Sequence, residues 1–125
     1  MNVLLWILQF LLAAVFLAHG LLFLAPPASM VELLRPIPVG FRLFLGVAEV
    51  LAAVGLTLPG LTRIQPALTA WAAVGIMIVM ISATIFHVQR GELSSAVTTV
   101  ILLAIASFVA YMRWKVKPIL PRTLA

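Results

Sequence analysis

Glu49 is the residue of this chain with the clearest chemical potential, because it lies near the centre of an apolar run, 41–59, that is long enough to cross a membrane. A carboxylate at that depth is costly in hydrocarbon, so one that is kept there usually has a hydrogen-bonding partner and a role. It can exchange a proton or anchor a ligand that carries a polar group. We therefore expect the chemistry of this chain to centre on Glu49.

Further polar side chains in the apolar runs are candidates to share a site with this carboxylate: His19, His87, Arg42 and Thr99. At about 1.5 Å per residue, His19, Arg42 and His87 lie about 8, 12 and 14 Å from the midpoints of their runs, on the side away from the chain termini. Each has a simpler interpretation, since a histidine near a helix end can be wetted at the interface and an arginine can reach the headgroups. Glu49 has no such route from mid-bilayer.

Small residues accompany these polar groups at helical spacing. Arg42, Gly46, Glu49 and Ala53 follow i, i+4, i+7, i+11 spacing, which places them on one helix face. Close helix contacts in lipid need small residues, so this face should point into the protein. Later runs carry similar stripes, made of Met80, Ala83 and His87 and of Ser95, Thr99, Ala106 and Ala110. We expect Glu49 to find its partner on another helix, at His87, His19 or Thr99.

The elements that must position these residues are four apolar runs of about 19–22 residues. Backbone groups cannot stay unpaired in lipid, so the runs predict four helices over about 3–24, 41–59, 67–88 and 93–112, followed by a basic tail, 113–125. Proline and glycine mark the short connections. The chain is therefore predicted to be a single all-α domain, 1–125, folded as an up-down-up-down four-helix membrane bundle. The first run is too long for a signal peptide and lacks a basic leader, so we expect it to be a retained helix.

Composition agrees with a membrane protein. Of the 125 residues 65% are hydrophobic and 9% are charged, against about a quarter charged in soluble domains. The net charge of +5 comes from basic residues at the ends of the apolar runs, which predicts lipid contacts and no nucleic-acid partner. The absence of cysteine excludes disulfides, thiolate nucleophiles and Cys-ligated metal centres.

Loop charges predict the orientation in the cell membrane. With four helices, one side holds both termini and the second loop, with basic residues Arg63, Arg113, Lys115, Lys117 and Arg122. The other side holds only Arg35 and Arg90, with Arg42 at the entrance of the second helix. Because positively charged loops favour the cytoplasm, both termini are expected to be cytoplasmic.

The second run and its surroundings resemble the DoxX-like family of small membrane proteins. The similarity lies in the sequences GVAEVLAAVGLTLP from Gly46, GLTR from Gly60, ATIFH from Ala83, and Gly91–Glu92, with GLLF from Gly20 in the first helix. Phe23 stands where the family often has lysine. The resemblance implies a four-helix integral membrane protein, and some members of the family are subunits of thiosulfate:quinone oxidoreductases.

The leading hypothesis is an accessory subunit or binding module, with a polar pocket for a quinone or lipid-like ligand in the non-cytoplasmic half of the bundle. Glu49, His87, His19, Arg42 and Thr99 are its candidate residues. One alternative is a proton, ion or small-solute carrier that uses Glu49, and another is an assembly or chaperone protein without a ligand. Besides lipid, the expected partners are a membrane protein or a second copy of the chain.

Catalysis by this chain alone is not favoured, because the sequence shows no nucleophile–base pair, metal-ligand cluster or phosphate-binding glycine loop. A quinone is the cofactor that the leading hypothesis allows. A haem between His19 and His87, which lie at comparable depths on two helices, is the less favoured alternative.

Overall fold

The computed structural model describes residues 2–123, which contain helices and loops and no strands. The helices are α1 (Asn2–Leu24), α2 (Ala28–Leu34), α3 (Val39–Thr62), α4 (Leu68–Gln89) and α5 (Leu93–Tyr111), and a π-helical turn, Met112–Val116, extends α5. The prediction of an all-helical membrane protein is confirmed, because the described chain has four candidate membrane spans: α1, α3, α4 and α5 with its π turn.

The surface of these four helices is apolar, as lipid requires. Large hydrophobic side chains point outward, among them Phe44, Leu51, Ile78 and Ile101, each more than half exposed. In water such a continuous apolar surface would be unfavourable, whereas a bilayer solvates it without cost. The long apolar helices and their apolar exterior therefore both indicate a lipid environment.

The four long helices pack as neighbours in chain order, and α1 also contacts α5. The buried core between them combines large side chains with alanines at close contacts, and includes Leu12, Phe16, Leu56, Ile76, Ala73, Ala106 and Val109. Alternation of large and small residues lets helices interdigitate at short range, which supplies most of the packing energy available in lipid. The up-down order of the whole bundle stays a prediction.

The second predicted helix, 41–59, is longer in the structure. It begins at Val39, and α3 continues through Pro59 to Thr62. The last turn is held by packing, since Gly60 lies so close to Trp6 and Ile119 that an added Cβ would approach each to 2.7 Å. The helix then ends at Arg63, which has φ of 59°. Packing contacts at this turn compensate for the backbone hydrogen bond that Pro59 cannot donate.

The first predicted loop also contains an unpredicted helix, α2. Its seven residues are too few to show a helical period, which is why the sequence pattern did not reveal it. It is mostly exposed, and Arg35 donates a hydrogen bond of 2.6 Å to Glu32 on its surface. Leu34 is the residue by which α2 is buried against the rest of the protein.

Candidate functional site

A carboxylate and an imidazole form the central polar contact of the bundle. Nδ1 of His19, on α1, lies 2.6 Å from Oε2 of Glu49, on α3, which is hydrogen-bond distance. The two side chains differ in environment, since Glu49 is 3% exposed and the His19 side chain 51% exposed. The expectation that Glu49 has a partner on another helix is thus confirmed, and the partner is His19.

Close approach of α1 and α3 makes this short contact possible. A Cβ on Gly20 would come within 2.9 Å of the Gly46 carbonyl oxygen, and a Cβ on Gly46 within 3.0 Å of the Gly20 carbonyl oxygen. Any side chain at either position would push the backbones apart. The two glycines flank the pair in sequence, one residue after His19 and three before Glu49. They therefore set the helix separation at which the imidazole reaches the carboxylate.

A cavity of about 300 Å³ opens beside Glu49. Its wall is otherwise apolar and comes from α1, α3 and α4: Phe16, Ala48, Leu51, Ala52, Trp71, Ala72, Gly75, Ile76 and Val79. This volume is at the lower end of small-molecule sites, which typically combine an apolar lining with a few polar groups. Because the hydrogen bond to His19 uses Oε2, the other carboxylate oxygen keeps acceptor capacity for a second donor.

The remaining predicted site residues do not join this pair in a single pocket. Arg42 donates a hydrogen bond to the carbonyl oxygen of Phe23, at the C-terminal end of α1. Thr99 shares a hydrogen bond of 2.7 Å with Thr84, which links α5 to α4. The cavity beside Glu49 also extends along α4 towards Trp71, whereas the predicted pocket extended towards His87. The five candidates therefore fall into four separate contacts, and only Glu49 and His19 share one.

His87 belongs to a charged cluster at the turn between α4 and α5. Its Nδ1 lies 3.6 Å from a Glu92 carboxylate oxygen, which also accepts a 2.7 Å hydrogen bond from Arg90 Nε. The Arg90 hydrogen bond lowers the pKa of Glu92 below its ordinary value, and the charges of Arg90 and His87 act in the same direction. Arg90 and Glu92 lie between the membrane spans and His87 lies in the last turn of α4, so the cluster belongs to the α4–α5 turn.

The sequence analysis missed a second buried polar cluster, centred on Arg113 and Gln9. Arg113 is 5% exposed and Gln9 fully buried. Arg113 Nε donates a 2.6 Å hydrogen bond to Gln9 Oε1, and Gln9 Nε2 donates to the Leu56 carbonyl oxygen at 2.8 Å. The sequence suggests an orientation signal at the membrane surface for Arg113, whereas the structure places its side chain inside the protein. Gln9 could have indicated this cluster, because it is a lone amide inside the first apolar run.

No metal site accompanies these clusters within residues 2–123, where no three His, Cys, Asp or Glu side chains converge. The Glu49–His19 pair is a hydrogen-bonded carboxylate and imidazole. It can hold a polar group of a ligand, or pass a proton between the buried carboxylate and the more exposed imidazole.

The sequence of the chain matches a known protein family. No curated protein and no solved structure matches the chain. The sequence model of the DoxX-like family matches residues 7–109, a range that contains Glu49, His19 and the whole lining of the cavity beside them. The match covers most of the chain and agrees with four candidate membrane spans. The chain therefore belongs to the DoxX-like family.

Proposed function

We propose that this protein is a membrane-embedded binding module whose cavity beside Glu49 takes a quinone or another lipid-like molecule with a polar head. The observation that carries the proposal is one buried carboxylate, held by His19, in the wall of an otherwise apolar cavity of about 300 Å³. An apolar ring and tail would lie against the apolar side chains, while a carbonyl or hydroxyl group would hydrogen-bond at the pair.

The chemistry of the pair suits the two oxidation states of such a ligand. A hydroxyl group, as on a quinol, can donate to the free acceptor capacity of Glu49, and a quinone carbonyl can accept a hydrogen bond from a proton that the Glu49–His19 pair holds. Without a redox centre of its own, the protein would bind and position the ligand for a partner protein. This would make it an accessory subunit rather than an independent enzyme.

The test is binding of a short-tailed benzoquinone to the protein in lipid nanodiscs, followed by quenching of tryptophan fluorescence, since Trp71 lines the cavity. Gly75 also lines it, and a Cβ there would have no neighbour within 4 Å. Gly75→Leu should therefore fill the cavity without disturbing the fold and abolish saturable quenching. Gly40→Leu is the matched control, because Gly40 has equally free space but lies outside the cavity. Equal quenching in both variants would refute the proposal.

A second candidate is a proton carrier, and one observation favours it. His19 is half exposed while its partner Glu49 is almost fully buried, so the pair extends from the core of the protein to its surface. A proton could be taken up at the imidazole and delivered to the carboxylate. Proteoliposomes with an imposed pH gradient and an internal pH dye test this function. Proton flux that is absent in Glu49→Gln would support a carrier, and flux equal to that of protein-free vesicles would exclude it.

A further inference from the structure

We propose that Arg113 forms a second ligand site, distinct from the cavity beside Glu49, which binds a phosphate group of the kind that anionic lipid headgroups carry. The site lies where the start of α1, the loop after α3 and the C-terminal segment meet. Arg113 is outside the residues matched to the family, so this inference does not depend on the proposed function.

The positive charge of Arg113 is not balanced by an acidic partner. Its guanidinium is buried, and its hydrogen bonds go to neutral acceptors: Gln9 Oε1, Asn2 Oδ1 at 2.8 Å and the Lys117 carbonyl oxygen at 3.0 Å. A buried charge without a counterion is strongly unfavourable. An anionic ligand would remove that penalty.

No acidic side chain of the chain is left to balance this charge. The sequence contains three acidic residues, and each one is engaged with a basic group elsewhere. Glu32 pairs with Arg35, Glu49 with His19, and Glu92 with Arg90. The counterion expected at Arg113 must therefore come from something other than an acidic side chain.

One nitrogen of the Arg113 guanidinium has N–H donors without an acceptor. Among residues 2–123, Nη2 of Arg113 is buried and has no hydrogen-bond partner. Unpaired buried donors are rare in proteins, because each costs the desolvation of the group without a compensating bond. A guanidinium nitrogen with free N–H donors is well matched to an oxyanion, and arginine is a common phosphate-binding residue for this reason.

Open space lies beside the guanidinium of Arg113. Arg113 lines a cavity of about 520 Å³, whose wall is mainly apolar and aromatic and includes Trp71, Trp114, Pro118 and Ile119. The Trp71 and Trp114 rings lie edge to face, with centroids 4.8 Å apart. Tryptophans of this kind are typical of the headgroup level of a bilayer. A phosphate attached to an apolar body fits this lining, and a small shift of the guanidinium would present Nη2 to it.

The charged side chains near the cavity are basic, as binding of a phosphate group requires. Lys115 and Lys117 lie in and beside the π turn, and Arg63 is fixed to the C-terminal segment by hydrogen bonds to the Leu120 and Pro121 carbonyl oxygens. Basic groups clustered at a membrane end raise the local concentration of anionic headgroups. They would attract the phosphate, while Arg113 and the cavity would hold it.

The test measures lipid binding by native mass spectrometry and by thermal stabilisation in detergent. Phosphatidylglycerol should be retained and should stabilise the full chain, whereas phosphatidylcholine should do neither. Arg113→Gln should weaken phosphatidylglycerol binding by about tenfold, the effect of losing one hydrogen bond to a charged group. Arg35→Gln removes the same charge at an exposed position beside α2, outside the cavity, and should change binding little. Equal losses in both variants would show a general charge effect and overturn the proposal.

Two further arms identify the ligand and guard against misfolding. Ala67 is an exposed residue of the cavity wall, so Ala67→Trp should block the cavity and reduce binding while leaving Arg113 and its contacts intact. Stabilisation of the delipidated protein by inorganic phosphate, lost in Arg113→Gln, would identify free phosphate as the ligand. Stabilisation by phosphatidylglycerol alone would identify lipid. No response to either, or full binding in Ala67→Trp, would refute the site.

Discussion

Glu49 is retained inside the bundle because its environment offsets the cost of burying a carboxylate. His19 supplies a hydrogen bond across the helix interface, and the apolar surroundings strengthen it by excluding competing water. The imidazole itself is half exposed. The pair therefore extends from the core of the protein to the surface of its helices.

We expect Glu49 to matter more for function than for folding. Glu49→Gln keeps the shape and most of the hydrogen bonding, so it should insert normally and melt within about 1 kcal/mol of the wild type, the usual value of one hydrogen bond. It removes the charge and the proton exchange, so quinone retention in nanodiscs should fall. Glu49→Leu should lose retention as well. Unchanged retention in both variants would leave this carboxylate without a functional role.

The Arg90–Glu92 pair predicts a pH dependence of stability in acid. The hydrogen bond from Arg90 lowers the Glu92 pKa in the folded protein, so the unfolded chain takes up its proton first as pH falls. The contribution should be complete above the ordinary value of 4.5 and should be lost as pH falls through the lowered one. Thermal melting in detergent across this range should show a small decline that Glu92→Gln and Arg90→Gln both remove. A decline unchanged in both variants would contradict the assignment.

The helix pair α1–α3 is the element that builds the candidate site. Its two facing glycines bring the backbones close, and this separation lets His19 reach Glu49. The sequence analysis identified Gly46 as a contact position from its place on the Glu49 stripe. It could not identify Gly20 as the facing residue, because the relative rotation of two helices is not encoded in either helix alone.

Gly20→Ala tests this dependence. The added Cβ would lie 2.9 Å from a backbone oxygen of α3, so the helices must separate, at a cost of about 1–3 kcal/mol as for other overpacked contacts. The midpoint of thermal unfolding in detergent should fall. Gly75→Ala is the control, since its Cβ meets nothing within 4 Å and alanine is the better helix former. Equal midpoints for the two variants would show that the close approach is unimportant.

At the scale of the whole molecule, the polar groups are divided among a central pair, a loop cluster and a buried group at the end that holds Asn2 and Arg113. The sequence alone suggested one pocket for the first two, because His19, Arg42 and His87 were estimated to lie in the same half of the bilayer, with Glu49 near its midplane. Depth along a helix axis, however, does not fix the direction in which a side chain points. The separation into distinct sites is a property of the assembled bundle.

Orientation in the membrane remains a prediction from loop charges, with both termini cytoplasmic and the loops 25–40 and 89–92 outside. The chain has no cysteine, so single cysteines can be labelled without background. In intact cells, an impermeant maleimide should label Ser29→Cys and should reach Thr123→Cys only after permeabilisation. The reverse pattern would invert the orientation.

The sequence by itself determined the number of candidate membrane spans and the need of Glu49 for a partner. Both are local properties, because a run of about 20 apolar residues must be helical in lipid and a carboxylate within it needs a partner. Only the tertiary structure decided that this partner is His19 and that Arg113 points inward. Helix rotation and close approach depend on residues far apart in the chain, such as Gly20 with Gly46. The π turn after α5 likewise shifts the angular position of Arg113 in a way that no hydrophobic period predicts.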